Sequence, residues 1–183
     1  MTIITNHLNI DRSEDPEYWY LWALDFKNTF LFLYSRVTNL YRLKNINLDK
    51  LPPQPGNLAT LTIYYASIEL YMKTYLLAKG ILKTRQLRRK EFGHHLEVLR
   101  KVCSKSDARF NNEALKWIIK VMEMSLKSDW SQIKYPPRRA PLFKVGAERT
   151  KNSHVMPLYG KETMIPPLEL LEDIVIPLVY TKD

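Results

Sequence analysis

From residue 16 onward the apolar side chains of this chain recur in steps of three and four. That is the period of one face of an α-helix, whereas a strand requires alternation. The first run is Trp19, Trp22, Phe26, Phe30, Leu33, Val37 and Leu40. Asp15 suits an N-cap, and Pro16 suits the first helical position, where its missing N–H costs nothing. The spacing predicts a helix over about 16–44, roughly 40 Å long at 1.5 Å per residue, with this aromatic-rich face turned to a core.

The stretch Leu51-Pro-Pro-Gln-Pro-Gly56 interrupts the pattern. A second helix is predicted from Asn57 to about Lys79. Leu61, Tyr64, Tyr65, Ile68, Met72, Tyr75 and Leu76 form its wide apolar stripe, and Gly80 is placed to stop it. The only charges in its body, Glu69 and Lys73, are i,i+4 neighbours on what reads as a central helix, and they suit either a structural ion pair or a functional one. A basic connector, Ile81 to Gly93, leads to a short helix starting near His94, with Leu96, Leu99 and Cys103 inward. Ser106 or Asp107 is expected to cap a fourth helix with Phe110, Ala114, Trp117, Ile118, Val121 and Leu126 as its apolar positions.

Residues 135–167 hold six of the eleven prolines, so an irregular segment is expected there. Beyond it, Leu168, Leu171, Ile174 and Val175 suit a short helix from Pro166 to about Ile176. Residues 174–180 also read as an extended run. The whole, 1–183, is expected to be one all-α domain: an antiparallel helical bundle of four to five helices with an irregular proline-rich C-terminal segment over 137–183.

Composition narrows the class. At 45% apolar and 26% charged residues the chain is globular in character. Cys103 is its single cysteine, which excludes an internal disulfide framework. No run approaches ~18 uncharged apolar residues, so no membrane span is expected. The first sixteen residues lack the basic-then-apolar order of a secretory signal, and a cytoplasmic setting is the simplest expectation.

The net charge of +9 is unevenly placed. Residues 79–109 carry +7 and residues 134–151 carry +5, while the segments around them are balanced or acidic. Two such patches suit a polyanion, because phosphate binding grows with the number of cations brought to one surface. They equally suit solvated loops.

The string Ala66-Ser-Ile-Glu-Leu-Tyr-Met-Lys-Thr-Tyr-Leu-Leu-Ala-Lys-Gly80, followed by Lys90-Glu-Phe-Gly-His-His-Leu-Glu-Val-Leu99, resembles the HEPN family of small helical bundles. Ala66, Glu69, Lys73, Gly80, His94, Leu96 and Leu99 fall in the family's order, and Lys134-Tyr135-Pro136 resembles its Arg-Tyr-Pro turn. His95 stands where Asp is usual, and Lys134 where Arg is usual. The likeness covers about residues 57–136; the long first helix and the proline-rich tail lie outside it. It implies an up-and-down bundle, often dimeric. The implied roles run from RNA cleavage to RNA binding and toxin–antitoxin or defence partnering, with a nucleotidyltransferase as one kind of protein partner.

Catalytic members carry an arginine followed four to six residues later by a histidine. A neutral imidazole can take the proton of a ribose 2′-OH while a guanidinium holds the neighbouring phosphate, with no metal and no cofactor. Arg88 and Arg89 precede His94 and His95 at this spacing, and Arg149 precedes His154. Arg89 with His94 is the first candidate pair, Arg149 with His154 the second. His94 equally suits a packing role at the end of the central helix. Arg85, Arg88, Arg89, Lys90, Lys134, Tyr135, Arg138 and Arg139 are the candidate nucleic-acid contacts. Tyr135 is placed either to stack a base or to anchor its ring in the core. Cys103 falls on the apolar stripe of its helix and reads as a buried structural thiol. No Cys/His spacing suggests a metal, and the five glycines build no phosphate-cradling loop. RNA or another polyanion, a second copy of the chain, or a protein partner are the expected associates.

Overall fold

The computed structural model describes residues 12–43, 55–89, 92–126 and 160–180. They form six α-helices: α1 (Pro16–Leu43), α2 (Pro55–Ala78), α3 (Thr84–Leu87), α4 (Leu96–Ser104), α5 (Glu113–Leu126) and α6 (Lys161–Tyr180). A 3₁₀ turn, Ala108–Asn111, separates α4 from α5, and no strand occurs among the described residues. The all-α bundle is therefore as expected, with α3 as an extra single turn inside the basic connector. Of the proline-rich stretch, residues 135–159 lie outside the described residues, as does the whole of 134–151, whereas 161–167 are helical rather than irregular.

α2 is the axis of the bundle, packed by α1, α4 and α6. Its expected stripe is wholly buried, and Thr60, Ser67, Tyr71 and Thr74 are buried as well, so core surrounds it on nearly every side. The three hydroxyl-bearing small residues cost little in such a place when bonded. Ser67 Oγ donates to the Ala23 carbonyl of α1 at 3.1 Å, and Thr74 Oγ1 to Leu70 at 2.8 Å. Ala23 and Ser67 are small enough to bring the two helix backbones close. α2 ends in a Schellman motif: Ile81 N–H reaches Leu76 O and Gly80 N–H reaches Leu77 O, each at 2.9 Å. Gly80 sits at φ +66°, which a side chain would strain.

α1 differs from expectation in the face it buries. Tyr20, Ala23, Phe30 and Tyr34 enter the core, while Trp22 is 47% exposed. Tyr18, Trp19, Tyr20 and Trp22 place aromatics all round this turn, and the fit of Ala23 against Ser67 selects among the faces. α1 is tied to α6 by charge. Glu172 accepts from Lys27 through Oε2 and from the Tyr20 hydroxyl through Oε1. Burial and the Glu172 carboxylate push the Tyr20 phenol up to about 12.

The fourth expected helix divides. Asp107 caps the 3₁₀ turn through Arg109 N–H at 2.9 Å, and Asn112 restarts the helix by accepting from Ala114 and Leu115. This shifts the phase. Leu115, Ile118, Ile119 and Met122 are buried, whereas Ala114 is exposed and Trp117 is 43% exposed.

α6 begins at Lys161, earlier than expected, and runs to Tyr180 through Pro166, Pro167 and Pro177, so residues 174–180 are helical. A proline inside a helix costs about 3 kcal/mol. Met164, Pro167, Leu168, Leu171, Ile174, Val175 and Val179 are buried from this helix. At ~1.5–3 kcal/mol for a large aliphatic side chain, that stripe outweighs the lost hydrogen bonds.

Candidate functional site

Glu69 lies in the middle of α2, and Lys73 follows one turn later on the same face. Both are buried. Lys73 Nζ donates to Glu69 Oε1, and the other carboxylate oxygen, Oε2, lies 3.0 Å from Nδ1 of His94. Burial pushes the Glu69 carboxyl up, but the hydrogen bond to His94 and the charge of Lys73 outweigh it. The group is held below the usual carboxylate range. An ionised carboxylate only accepts, so the proton between the two groups belongs to Nδ1 of the imidazole. In the neutral ring this makes Nε2, on the opposite edge, the basic nitrogen. The His94 side chain is 45% exposed, against 10% for Glu69.

The backbone of His94 is as constrained as its ring. It has φ +77°, the single non-glycine positive value among the described residues. Such a conformation costs of order 1–3 kcal/mol and persists where neighbours over-determine it. Here the Tyr65 hydroxyl donates to the His94 carbonyl while Glu69 holds the ring. His94 thus packs on the middle of α2, rather than on its end.

The turn before His94 closes through Phe92 and Gly93 N–H groups on the Arg89 carbonyl, at 3.0 and 2.8 Å. Arg85, Arg88 and Arg89 are exposed on α3 and this turn. The connector is anchored rather than loose. Leu87 is buried, Thr84 Oγ1 donates to the Ser13 carbonyl, and Thr84 N–H donates to Glu14 at 3.2 Å. Lys90, Lys134, Tyr135, Arg138, Arg139, Arg149 and His154 lie outside the described residues.

Of the ten basic groups in 79–109, Arg100 is spent inside the fold, while Arg109 and Lys101 are ion-paired at the surface. Arg100 is buried; it grips Glu97 with two bonds of 2.7 Å and donates to Phe110 O and Asn111 Oδ1. Arg109 is paired with Asp107 at 2.7 Å. Lys79, Lys83, Lys101 and Lys105 are exposed with the three arginines.

Cys103 is fully buried with its Sγ 3.7 Å from the Met72 carbonyl, and burial pushes its thiol far up, as befits an inert structural group. Among the described residues no three His, Cys, Asp or Glu side chains come together as metal ligands. No described helix is long and apolar enough to cross a membrane.

Sequence reasoning singled out His94 and, separately, the Glu69–Lys73 pair. It missed that they are one cluster, and it placed Tyr65 only in the apolar stripe, without the hydroxyl's bond to His94. The signal for the pair was its i,i+4 spacing; nothing local marks a contact across 25 positions. Comparison of the chain with models of known families, with curated proteins and with solved structures gives no match.

Proposed function

We propose that this chain is a HEPN-like RNA-binding protein acting as a metal-independent endoribonuclease. The observation that carries the reading is the Glu69-held imidazole of His94, half-exposed on a strained backbone immediately after an exposed arginine-rich turn. An imidazole oriented by a carboxylate and set beside one sign of charge is what acid–base chemistry on an anion requires.

In this scheme Nε2 of His94 takes the proton of a ribose 2′-OH. The resulting oxygen attacks the adjacent phosphorus, and the bond to the 5′-oxygen breaks. A 2′,3′-cyclic phosphate forms, and the proton passes from the imidazolium to the departing oxygen. Arg89 and Arg88 hold the phosphate, and the ionised Glu69 stabilises the imidazolium at the midpoint of the cycle.

The test is cleavage of single-stranded RNA by the full chain without added metal. His94→Ala abolishes cleavage and leaves RNA affinity nearly unchanged. Arg88→Ala with Arg89→Ala weakens binding and flattens its salt dependence. Cleavage that survives in both His94→Ala and His154→Ala variants overturns the enzymatic reading. Absence of RNA binding even at low salt favours a non-catalytic module that docks on a protein partner, for which the Glu69–His94–Tyr65 contacts serve only to fasten α4 to α2.

A further inference from the structure

His95 is the N-cap residue of α4, a position that favours a short side chain accepting from the first N–H groups of the helix. The imidazole makes no such bond. That duty falls to another helix: Glu123 of α5 accepts from the Glu97 N–H through Oε1 at 2.9 Å. His95 itself is exposed, and its ring enters no hydrogen bond or ion pair among the described residues. Packing and capping therefore give no reason for an imidazole at this position. It stands uncommitted, one residue beyond the ring that Glu69 orients.

The reaction proposed for His94 moves two protons, one off the 2′-OH and one onto the 5′-oxygen. In-line displacement at phosphorus sets those two oxygens on opposite sides of the atom. Nε2 of His94 serves the entering side. Glu69 holds the other edge of that ring at 3.0 Å, and Tyr65 holds the backbone beneath it, so the ring does not cross to the departing side. A separate donor is required there. A guanidinium does not give up its proton, which leaves the exposed Arg88 and Arg89 to the non-bridging oxygens. The Cα of His95 is about 3.8 Å from that of His94 across one peptide, and its side chain has no bond to break in turning toward a bound strand.

We infer that His95 is the general acid of this site, giving a proton to the departing 5′-oxygen while His94 takes one from the 2′-OH. Within the endoribonuclease reading, on which this rests, His95 takes over the second proton transfer from His94. The O2′–H proton moves to Nε2 of His94 and the O2′–P bond forms. The P–O5′ bond breaks, and its electron pair takes the proton of the His95 imidazolium. A 2′,3′-cyclic phosphate and a 5′-hydroxyl result. His94 is left protonated and His95 neutral, and both exposed residues return to their starting states by exchange with water.

A leaving group that needs no proton separates the two roles. A single-stranded RNA is mapped for the position at which the full chain cuts it. The strand is then remade with sulfur in place of the 5′-oxygen at that position. A thiolate departs unprotonated far more readily than an alkoxide. His95→Ala lowers cleavage of the oxygen strand by roughly 10²–10⁴-fold, the range of general acid–base catalysis, and cleaves the sulfur strand at close to the wild-type rate. His94→Ala is inactive on both, because the 2′-OH still has to lose its proton. His95→Asn, whose side chain suits an N-cap, keeps the wild-type melting temperature and shows the same rescue by sulfur. Wild-type rates of His95→Ala on the oxygen strand overturn the inference and leave the endoribonuclease reading standing. A loss that sulfur does not restore overturns it too, since it marks a positioning or folding role. A wild-type chain that cleaves neither strand overturns the endoribonuclease reading and this assignment with it.

Discussion

Nδ1 of His94 lies 3.0 Å from Oε2 of Glu69, and through that contact the turn into α4 is fastened to the middle of the central helix. The carboxylate serves two partners at once, a buried lysine on its own helix and a half-exposed imidazole from the turn before α4. Its ionised state underlies the geometry of the site and part of the fold's stability.

The pH dependence of stability follows from that state. Because the folded chain holds the Glu69 carboxyl below its ordinary value of 4.5, the unfolded chain binds more protons in acid. The stabilisation is present above about pH 4.5 and is lost as pH falls through the lower folded value. Glu97 and Asp107, each lowered by an arginine, act in the same direction. Urea midpoints are expected to be flat from pH 7 to 5 and to fall below 4.5. Glu69→Gln makes that acid limb shallower, and an unchanged limb refutes the assignment.

His94 gives an unusual prediction for glycine. Replacing an ordinary residue by Gly costs more backbone entropy than replacing it by Ala. At φ +77° the order reverses, because Ala keeps the strain that Gly relieves. His94→Gly is expected to be more stable than His94→Ala by about 1 kcal/mol, read from denaturant unfolding of both variants.

Arg100 joins α4 to the 3₁₀ turn through Glu97, Phe110 and Asn111. Glu97 is about a third exposed and also meets Lys101, so Arg100→Ala does not strand a buried charge. It is expected to cost about 1–3 kcal/mol, mainly through the buried acceptor at Phe110 left unpaired. Arg100→Lys recovers little of it, since an ammonium cannot reproduce the planar fork. Thermal melts of the two variants check this.

Tyr64 is buried beside Phe30 with its hydroxyl unpartnered among the described residues. An unsatisfied buried hydroxyl costs about 1–3 kcal/mol. Tyr64→Phe, which keeps the ring and removes the oxygen, is expected to raise stability by ~1 kcal/mol in urea unfolding. A loss of stability means that the hydroxyl has a partner.

The central helix was legible because Ile68, Met72 and Leu76 repeat the helical period between a proline break and Gly80. The faces of α1 and α5 were less legible. Aromatics crowd every side of the first turns of α1, so periodicity admits several stripes, and the small Ala23 decides between them by contact with Ser67. In α5 a 3₁₀ turn that no single residue announces displaced the phase, so Leu115 is inside and Trp117 at the surface. For the site, His94 and Glu69 each stood out locally. Their union depends on the path of the chain through Phe92 and Gly93, which residue spacing does not encode.

Cys103 faces the carbonyl of Met72, one turn along α2 from Glu69. A thiol reagent reaches that sulfur only when α4 lifts from α2, the same separation that parts His94 from Glu69. The lone cysteine is thus a built-in clock for the parting of α4 from α2, read by the rate at which the wild-type chain is labelled.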